Sequence, residues 1–453
     1  MLDLHPIPEI DRDCPHCGTA LTPRDWHIPG MRMLADLTCP DCDREYYGDL
    51  ASGHGIFYPA LLERDTGTVH ADVDGWFADL LQETYRNRVD ESVSFETTSE
   101  GQVSNPVLLN CLDVNYLHHV NKLLNAGRCE DGDRDLIVLV PESLRWMVPD
   151  GVAGVWTVDL PPTGSGTWNE RLAGQIHEEV SRFDRCALSV AHPHPHPNVY
   201  DIAAFTGVDP FSISAWTDRL AEPTVTFVWR GATGGSSPRR LWASVPESPR
   251  WRQKLRGTIN LAAHRLGSQR IAIREQRRNI VAAASELRSL IPSVDCAVAG
   301  VGTEGSFPDW FTDVRYEHPD RTAEVSLCER YAESHVVVGV HGSHMGLPSA
   351  HAGAVVEVMP ESKRGNFIGD MVCRPADQRE SLLRYRTVSA SAPVMTIARE
   401  VASVLVHLPS RWLRMQHRRD DGGDALAELT QIRDEEVRIA RQTDDTVASD
   451  WLR

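Results

Sequence analysis

The sequence predicts an α/β protein with two successive doubly wound halves and a small cysteine-rich module in front of them. Two Cys-x-x-Cys pairs lie near the N-terminus, and short apolar runs alternate with helical segments from about residue 105 onward. A second series of such runs follows the break at Glu222-Pro223. Strands separated by helices are typical of parallel sheets with helices on both faces. The length of 453 residues also exceeds one ordinary core, so several domains are expected.

Composition excludes some classes of function. The net charge of −18 argues against nucleic-acid binding, which depends on clustered Lys and Arg. No apolar run of about 18 residues occurs, so no membrane span is expected. The N-terminal stretch has neither a basic region nor an apolar core, so no signal peptide is predicted. A cytoplasmic protein without disulfides is therefore expected, and its oligomeric state is not readable.

The cysteine module is predicted to occupy residues 1–60. Its two pairs, separated by 21 residues, are Cys14 with Cys17 and Cys39 with Cys42. Each pair can present two thiolates to one ion, and two pairs complete a tetrahedral sulfur site. This spacing predicts a structural zinc ribbon; an iron–sulfur site and a redox dithiol are the alternatives.

The first α/β half is predicted at residues 61–221. Its strands are expected at 107–111, 135–141, 152–159 and 186–191, with helices at 114–126 and 168–183. Unbroken apolar runs of this length favour buried strands of a parallel sheet.

Candidate catalytic residues follow the first of these strands. The carboxyl ends of parallel strands form the ligand crevice, so Asp113, Asn115 and His118 are expected to face it. His118 and Asp113 are the candidates for a general base. Alternatively, Asp113 or Asn115 caps a helix that carries an exposed histidine.

Three histidines alternate with prolines at His192, His194 and His196. Such a tract resembles a metal site, but the extended polyproline path spreads alternate side chains around the chain. A rigid loop beside the crevice is therefore favoured over a single-metal site.

The second half is predicted at residues 222–410, followed by a polar helical tail at 411–453. Strands are expected at 224–230 and 295–302. Arg230 ends the first of them and is followed by a Gly/Ser-rich loop that contains Arg239 and Arg240. Backbone N–H groups and guanidinium groups of this kind suit a diphosphate, although many such loops are only flexible connections.

A strand at 335–340 leads into the turn His341-Gly342-Ser343, and a second buried strand at 354–359 carries Glu357. A strand that ends in a glycine turn before a helix is a common way to bind phosphate. Glu357 is expected either to contact the ligand or to pair with a nearby arginine.

These segments resemble GT-B glycosyltransferases, whose fold consists of two Rossmann-like domains. More narrowly, they are similar to the family of plant xylan xylosyltransferases and secretory-pathway protein O-GlcNAc transferases. That family has a His-Gly-Ala-Gly-Leu turn and a Val-Val-Glu-Ile strand. This sequence has His341-Gly342-Ser343-His344-Met345 and a strand containing Val355-Val356-Glu357-Val358. Asn115-Tyr-Leu-His118 matches the family's Asn-x-x-His element, whereas His344 replaces the second glycine.

The resemblance implies a nucleotide-sugar donor held mainly by the second half, in a reaction without a catalytic metal. The turn from His341 to His344 would face the diphosphate, and Arg230 with Arg239 would neutralise charge on the leaving group. The resemblance also implies that Glu357 contacts the ribose or the sugar, and that an acceptor base comes from the first half.

The sequence thus predicts a cytoplasmic glycosyltransferase with structural zinc, a nucleotide-sugar donor and an unidentified acceptor, which is a glycan, a protein or a small molecule. Two alternatives remain. One is a non-catalytic GT-B-fold protein that docks through the zinc ribbon, and the other is a nucleotide-sugar epimerase.

Overall fold

The structure is a computed structural model that describes residues 1–73, 75–128, 134–160, 166–194, 200–231, 268–317, 320–372 and 378–416. The chain forms two compact units, Met1–His196 and Pro197–Arg453. The division lies earlier in the chain than the predicted boundary at 221/222. Among the described helices, none is both long and apolar enough to span a membrane.

The first unit contains two sheets and several helices. Its strands are β1 Leu2–His5, β2 Thr22–His27, β3 Leu34–Thr38, β4 Glu45–Asp49, β5 Ala60–Glu63, β6 Val69–Ala71, β7 Phe95–Ser99, β8 Pro106–Asn110, β9 Asp135–Pro141, β10 Gly154–Val158 and β11 Cys186–Leu188. Its helices are α1 Trp76–Arg86, α2 Tyr116–Leu123 and α3 Glu170–Val180.

The cysteine-bearing sheet is antiparallel and runs β2-β3-β4-β5-β6. It extends past the predicted limit at residue 60, because β6 reaches Ala71. Trp26 and Leu37 of this sheet share one hydrophobic cluster with Leu108 and Leu139 of the second sheet. Burial of each such side chain contributes about 1.5–3 kcal/mol, so the cysteine module is packed into the first unit by its core.

The second sheet of this unit has the order β1-β11-β8-β9-β10-β7. The four central strands are parallel, as expected, and they lie within a few residues of the predicted positions. The two edge strands are antiparallel, so this sheet is mixed. The expectation of a purely parallel sheet was wrong, because β1 comes from the segment assigned to the cysteine module and β7 has no apolar run.

The second unit contains one sheet covered by helices. Its elements are α4 Ala203–Thr206, β12 Thr224–Arg230, α5 Ser268–Leu290, β13 Asp295–Val301, β14 Phe311–Tyr316, α6 Arg321–Glu333, β15 Val336–Val340, α7 Gly346–His351, β16 Ala354–Met359, α8 Gln378–Arg384, β17 Tyr385–Ser389 and α9 Val394–Gln416.

All strands of this sheet are parallel, and they run in the order β14-β13-β12-β15-β16-β17. Counted from its own first strand, the order is 3-2-1-4-5-6, which defines a doubly wound sheet. The direction of winding reverses between β12 and β15. Ligands of such sheets bind at the carboxyl ends of the strands at this switch point.

The α/β class is therefore confirmed. In the second unit, β12, β13, β15 and β16 lie within about a residue of their predicted positions, because each is a continuous buried run. β17 was not predicted, since Tyr385-Arg-Thr-Val-Ser has only two buried positions. Residues 417–453, most of the predicted tail, lie outside the described residues.

Candidate functional site

Four cysteines converge at one end of the antiparallel sheet. The Sγ atoms of Cys17 and Cys39 lie 3.4 Å apart, those of Cys14 and Cys42 lie 3.7 Å apart, and those of Cys17 and Cys42 lie 3.8 Å apart. Four sulfurs placed tetrahedrally at about 2.3 Å from one ion lie about 3.8 Å from each other. The cluster therefore fits one metal ion with four sulfur ligands.

Two similar turns build this cluster. Gly18 N–H donates to the carbonyl of Cys14, and Asp43 N–H donates to the carbonyl of Cys39. Gly18 and Asp43 both have positive φ, at 77° and 56°. Glycine and aspartate tolerate this conformation better than most residues do. The two turns direct both thiols of each pair toward the same point.

A second cluster forms in the first unit where β8 ends. Asn115 caps α2, since its side chain accepts a hydrogen bond from Leu117 N–H. This cap places Asp113 just before the helix and His118 on its first turn. Nδ1 of His118 lies 3.0 Å from Oδ1 of Asp113. Two of the predicted site residues, Asp113 and His118, are therefore in contact, and Asn115 is the cap.

Two further residues surround Asp113. Lys122 Nζ lies 2.9 Å from its Oδ2 and donates to the carbonyl of Leu112 at 2.6 Å. His54 Nε2 lies 3.2 Å from the same Oδ2. Asp113, Lys122 and His54 are all buried. We call these four residues, His54, Asp113, His118 and Lys122, the histidine–aspartate cluster.

The ionisation states in this cluster follow from burial and charge. Burial opposes ionisation of Asp113, but the Lys122 ammonium and the two histidines outweigh it and hold the pKa of Asp113 well below its usual range. Burial lowers the pKa of His54 to about 4, so this ring is neutral at pH 7. The cluster therefore combines an ionised carboxylate with a neutral imidazole.

Aromatic rings enclose His54. The rings of Trp76, Phe77 and His118 have centroids 4.9 to 5.1 Å from its own. The ring of His194, from the His-Pro tract, lies 5.5 Å from His54 and 5.2 Å from His118. One histidine of the tract therefore reaches the cluster, whereas His196 lies outside the described residues.

A third cluster forms in the second unit at the switch point. Arg230 ends β12, and His341 directly follows β15, which pairs with β12. A Cβ placed on Gly342 would lie 3.7 Å from a guanidinium nitrogen of Arg230 and 3.2 Å from the ring of His344. The φ of Gly342 is 155°. The conformation therefore favours glycine here, and the space for a Cβ is tight.

His341 joins two carboxylates. Its Nδ1 lies 2.9 Å from Oε1 of Glu357 and 3.1 Å from Oδ2 of Asp370. All three side chains are almost fully buried. Glu357 is thus paired with a histidine rather than with the arginine considered from the sequence. We call His341, Glu357 and Asp370 the histidine–dicarboxylate cluster.

The ionisation states of the residues in and beside this cluster depend on one another. Burial alone would lower the pKa of His341, but the hydrogen bonds to Asp370 and Glu357 raise it to about 10. Burial raises the pKa of Glu357 to about 7, against the opposing effect of His341. Burial and the Arg230 charge lower the pKa of His344 to about 3. At neutral pH, His341 carries a proton and His344 does not.

One expectation for this turn changes. Gly342 N–H, predicted to face a diphosphate, donates instead to Oδ2 of Asp370 at 2.7 Å. Asp370 was not identified from the sequence, because it follows an irregular segment with no periodic pattern. His54 and Lys122 were also missed. The glycines on either side of His54, in Gly53-His-Gly55, are a local pattern that could have indicated a functional residue. Lys122 offers no such pattern, because a lysine on a predicted helix is normally expected at the surface.

Arg230, His341, Gly342, Ser343, His344 and Glu357 therefore lie in one region of the second unit, while Arg239 lies outside the described residues. Comparison with protein-family models gives no match to this chain. Comparison with curated proteins gives no match either.

Proposed function

We propose that this protein is a glycosyltransferase that binds the diphosphate of a nucleotide-sugar at the carboxyl ends of β12 and β15. The observation that supports this proposal is the switch point of the doubly wound sheet, where Arg230 and the turn from His341 to His344 meet. Nucleotides bind at this position in sheets of the same strand order.

The group expected to attract an anion at this position is Arg230, because Asp370 and Glu357 balance the charge of His341. Arg230 carries a permanent positive charge, and His341 is protonated because two carboxylates raise its pKa to about 10. A guanidinium group can bind two phosphate oxygens at once. The Gly342 amide is already engaged by Asp370, so side chains rather than this amide would contact the diphosphate.

In the reaction, the bond between the sugar's anomeric carbon and the diphosphate oxygen breaks, and a bond to an acceptor oxygen or nitrogen forms. The leaving nucleoside diphosphate gains negative charge, which Arg230 and protonated His341 would stabilise. The acceptor loses a proton to a base. His118 and Asp113 remain predictions for this base, and the identities of the sugar and acceptor remain open.

Thermal-shift measurements with UDP, GDP, ADP and dTDP, and with one sugar conjugate of each, test the proposal. At least one pair should stabilise the protein equally in the presence of EDTA and of Mg²⁺. His341→Ala and Arg230→Ala should each weaken this binding roughly ten- to a hundredfold, the usual effect of removing a charged hydrogen bond. Arg278→Ala is the matched control, because Arg278 is exposed on α5 and, within the described residues, forms an ion pair with Glu275.

The outcomes separate the alternatives. Binding that survives both substitutions would move the donor away from this switch point. Absence of binding by every nucleotide would favour the non-catalytic alternative. Binding followed by conversion of the sugar without transfer would favour the epimerase.

We also propose that the four-cysteine cluster holds structural zinc. The separations of the sulfurs fit a closed tetrahedral site, which leaves no position for a substrate. Elemental analysis of freshly purified protein should find zinc, and Cys17→Ser should remove it. Iron and visible absorption in place of zinc would indicate a cluster of iron and sulfur instead.

A further inference from the structure

The histidine–aspartate cluster has no part in donor binding as proposed above, and His54 is its least explained member. His54 is 1% exposed, yet neither of its ring nitrogens makes a hydrogen bond within the described part of the chain. Its Nε2 lies 3.2 Å from Oδ2 of Asp113, within hydrogen-bond distance but without the alignment of a hydrogen bond. Buried polar groups are almost always hydrogen-bonded, and a ring nitrogen left without such a bond can serve as a metal ligand.

The spacing of the candidate ligand atoms fits one ion. Three residues, His54, Asp113 and His118, each offer one ligand atom, and these three atoms lie within 4.8 Å of one another. The two closest separations are 3.0 Å, from His118 Nδ1 to Asp113 Oδ1, and 3.2 Å, from His54 Nε2 to Asp113 Oδ2. Ligands at about 2.1 Å from one ion lie about 3.0–3.4 Å apart when they occupy neighbouring positions.

We propose that His54, Asp113 and His118 bind a divalent transition-metal ion in the first unit. Two imidazole nitrogens and one carboxylate oxygen suit zinc, cobalt(II) or iron(II), whereas calcium and magnesium prefer oxygen ligands throughout. Three protein ligands leave coordination positions open, unlike the closed cysteine site. His118 and the neighbouring ring of His194 form the accessible side, because the His118 side chain is 18% exposed while Asp113 and His54 are fully enclosed.

Lys122 has a supporting role in this site. Its ammonium group lies 2.9 Å from Oδ2 of Asp113 and is also held by the carbonyl of Leu112. It keeps the carboxylate ionised and oriented, with Oδ1 beside His118 and Oδ2 beside His54. Metal binding would replace the contact between His118 Nδ1 and Asp113 Oδ1, so a ligand role for His118 and its predicted role as the acceptor base exclude each other.

Cobalt(II) titration of the purified, zinc-containing protein tests this site. Thiolate ligands give cobalt an intense near-ultraviolet charge-transfer band, whereas imidazole and carboxylate ligands do not. We expect an additional ion per chain, with visible ligand-field bands and without the thiolate band. If zinc already fills both sites, elemental analysis should find more metal than Cys17→Ser removes.

His118→Ala and His118→Gln should abolish binding of this additional ion and leave the cysteine-bound metal in place. His177→Ala is the matched control, because His177 lies in the same unit on α3 and its side chain is 39% exposed. A chain that binds metal only through its cysteines would overturn the proposal, and so would additional binding that survives His118→Gln. The wild-type stoichiometry and spectrum decide the matter if the variants fail to fold.

Discussion

The two units place the same residue types, histidine and carboxylate, beside the carboxyl ends of parallel strands, but in opposite proportions. In the first unit, one carboxylate, Asp113, is surrounded by a lysine and two histidines. In the second unit, one histidine, His341, lies against two carboxylates. The single carboxylate of the first cluster and the single histidine of the second are both ionised at neutral pH. The pKa of Asp113 is held low, and the pKa of His341 is raised to about 10.

This difference determines the ligand that each cluster suits. The first cluster presents lone pairs from a neutral His54 and an ionised carboxylate, which suit a cation. The second holds a protonated imidazole between two carboxylates, and the group that suits an anion is the neighbouring guanidinium of Arg230. Sheets with parallel strands can therefore bind different ligands, because the charge of each cluster comes from the side chains at the strand ends and not from the strands themselves.

Removal of Lys122 should have the largest effect. Lys122→Met keeps most of the side-chain volume but leaves Asp113 as a buried carboxylate without a permanent positive charge beside it. We expect the free energy of unfolding to fall by about 3–5 kcal/mol, as when one partner of a buried ion pair is removed. Urea-induced unfolding followed by circular dichroism measures this change.

The double variant Asp113→Asn/Lys122→Met is the control for this prediction. It removes both charges, so it should be more stable than Lys122→Met alone. If Lys122→Met unfolds within about 1 kcal/mol of the wild type, Asp113 is not held by charge and the comparison fails.

The two clusters should affect the free energy of unfolding in different pH ranges. Since the folded pKa of His341 is about 10 and its ordinary value is 6.5, the folded state holds a proton that the unfolded state has lost between these values. The free energy of unfolding should therefore decrease from pH 7 to pH 10, by roughly 2–4 kcal/mol. His341→Gln should flatten this decrease in urea titrations at several pH values.

Asp113 should act at the opposite end of the pH range. Its folded pKa is lowered, so its contribution is present above its ordinary pKa and is lost as pH falls through the folded value. Asp113→Asn should flatten the acid side of the profile and lower the free energy of unfolding at higher pH. An alkaline decrease that persists in His341→Gln would assign it to another group.

Substitution of Gly342 tests the close packing of the second cluster. Gly342→Ala should destabilise the protein by about 1–2 kcal/mol, because φ is 155° and the new Cβ would lie 3.2 Å from the His344 ring. Gly174→Ala is the matched control, since that site on α3 has open space. Gly174→Ala should stabilise the protein by about 0.5–1 kcal/mol, so the two substitutions should change the stability in opposite directions. Thermal unfolding measures both variants, and a loss in Gly174→Ala would contradict this account.

The smallest expected effect compares two helix caps. Asn115 caps α2, which carries His118, while Asp320 caps α6, which carries no residue of either cluster. Asn115→Ala and Asp320→Ala should each cost about 1 kcal/mol in urea-induced unfolding. Only Asn115→Ala should also weaken cobalt binding, and equal weakening by both would show that α2 does not position His118 for the ion.

Local patterns in the sequence gave a large part of the fold. Continuous apolar runs located β8, β9, β12, β13, β15 and β16, because a strand buried on both faces needs no polar positions. The edge strands β7 and β17 were not predicted. Their sequences resemble those of loops, because one face and one edge of each strand remain polar. β1 was missed because its partner, β11, is far away in the sequence.

The sequence by itself determined the cysteine cluster and one part of each histidine cluster. Spacing is enough for the cysteines, because each tight turn fixes two thiols. Asp113 and His118 follow the same buried strand and are only five residues apart, so their proximity is local. His341 and Glu357 lie after and on adjacent strands at the predicted positions, but their pairing with each other was not predicted. The tertiary structure alone decided that His54 and Lys122 surround Asp113 and that Asp370 binds both His341 and the Gly342 amide. These contacts set the charge of each cluster, and they depend on burial and on distances between segments that no local pattern records.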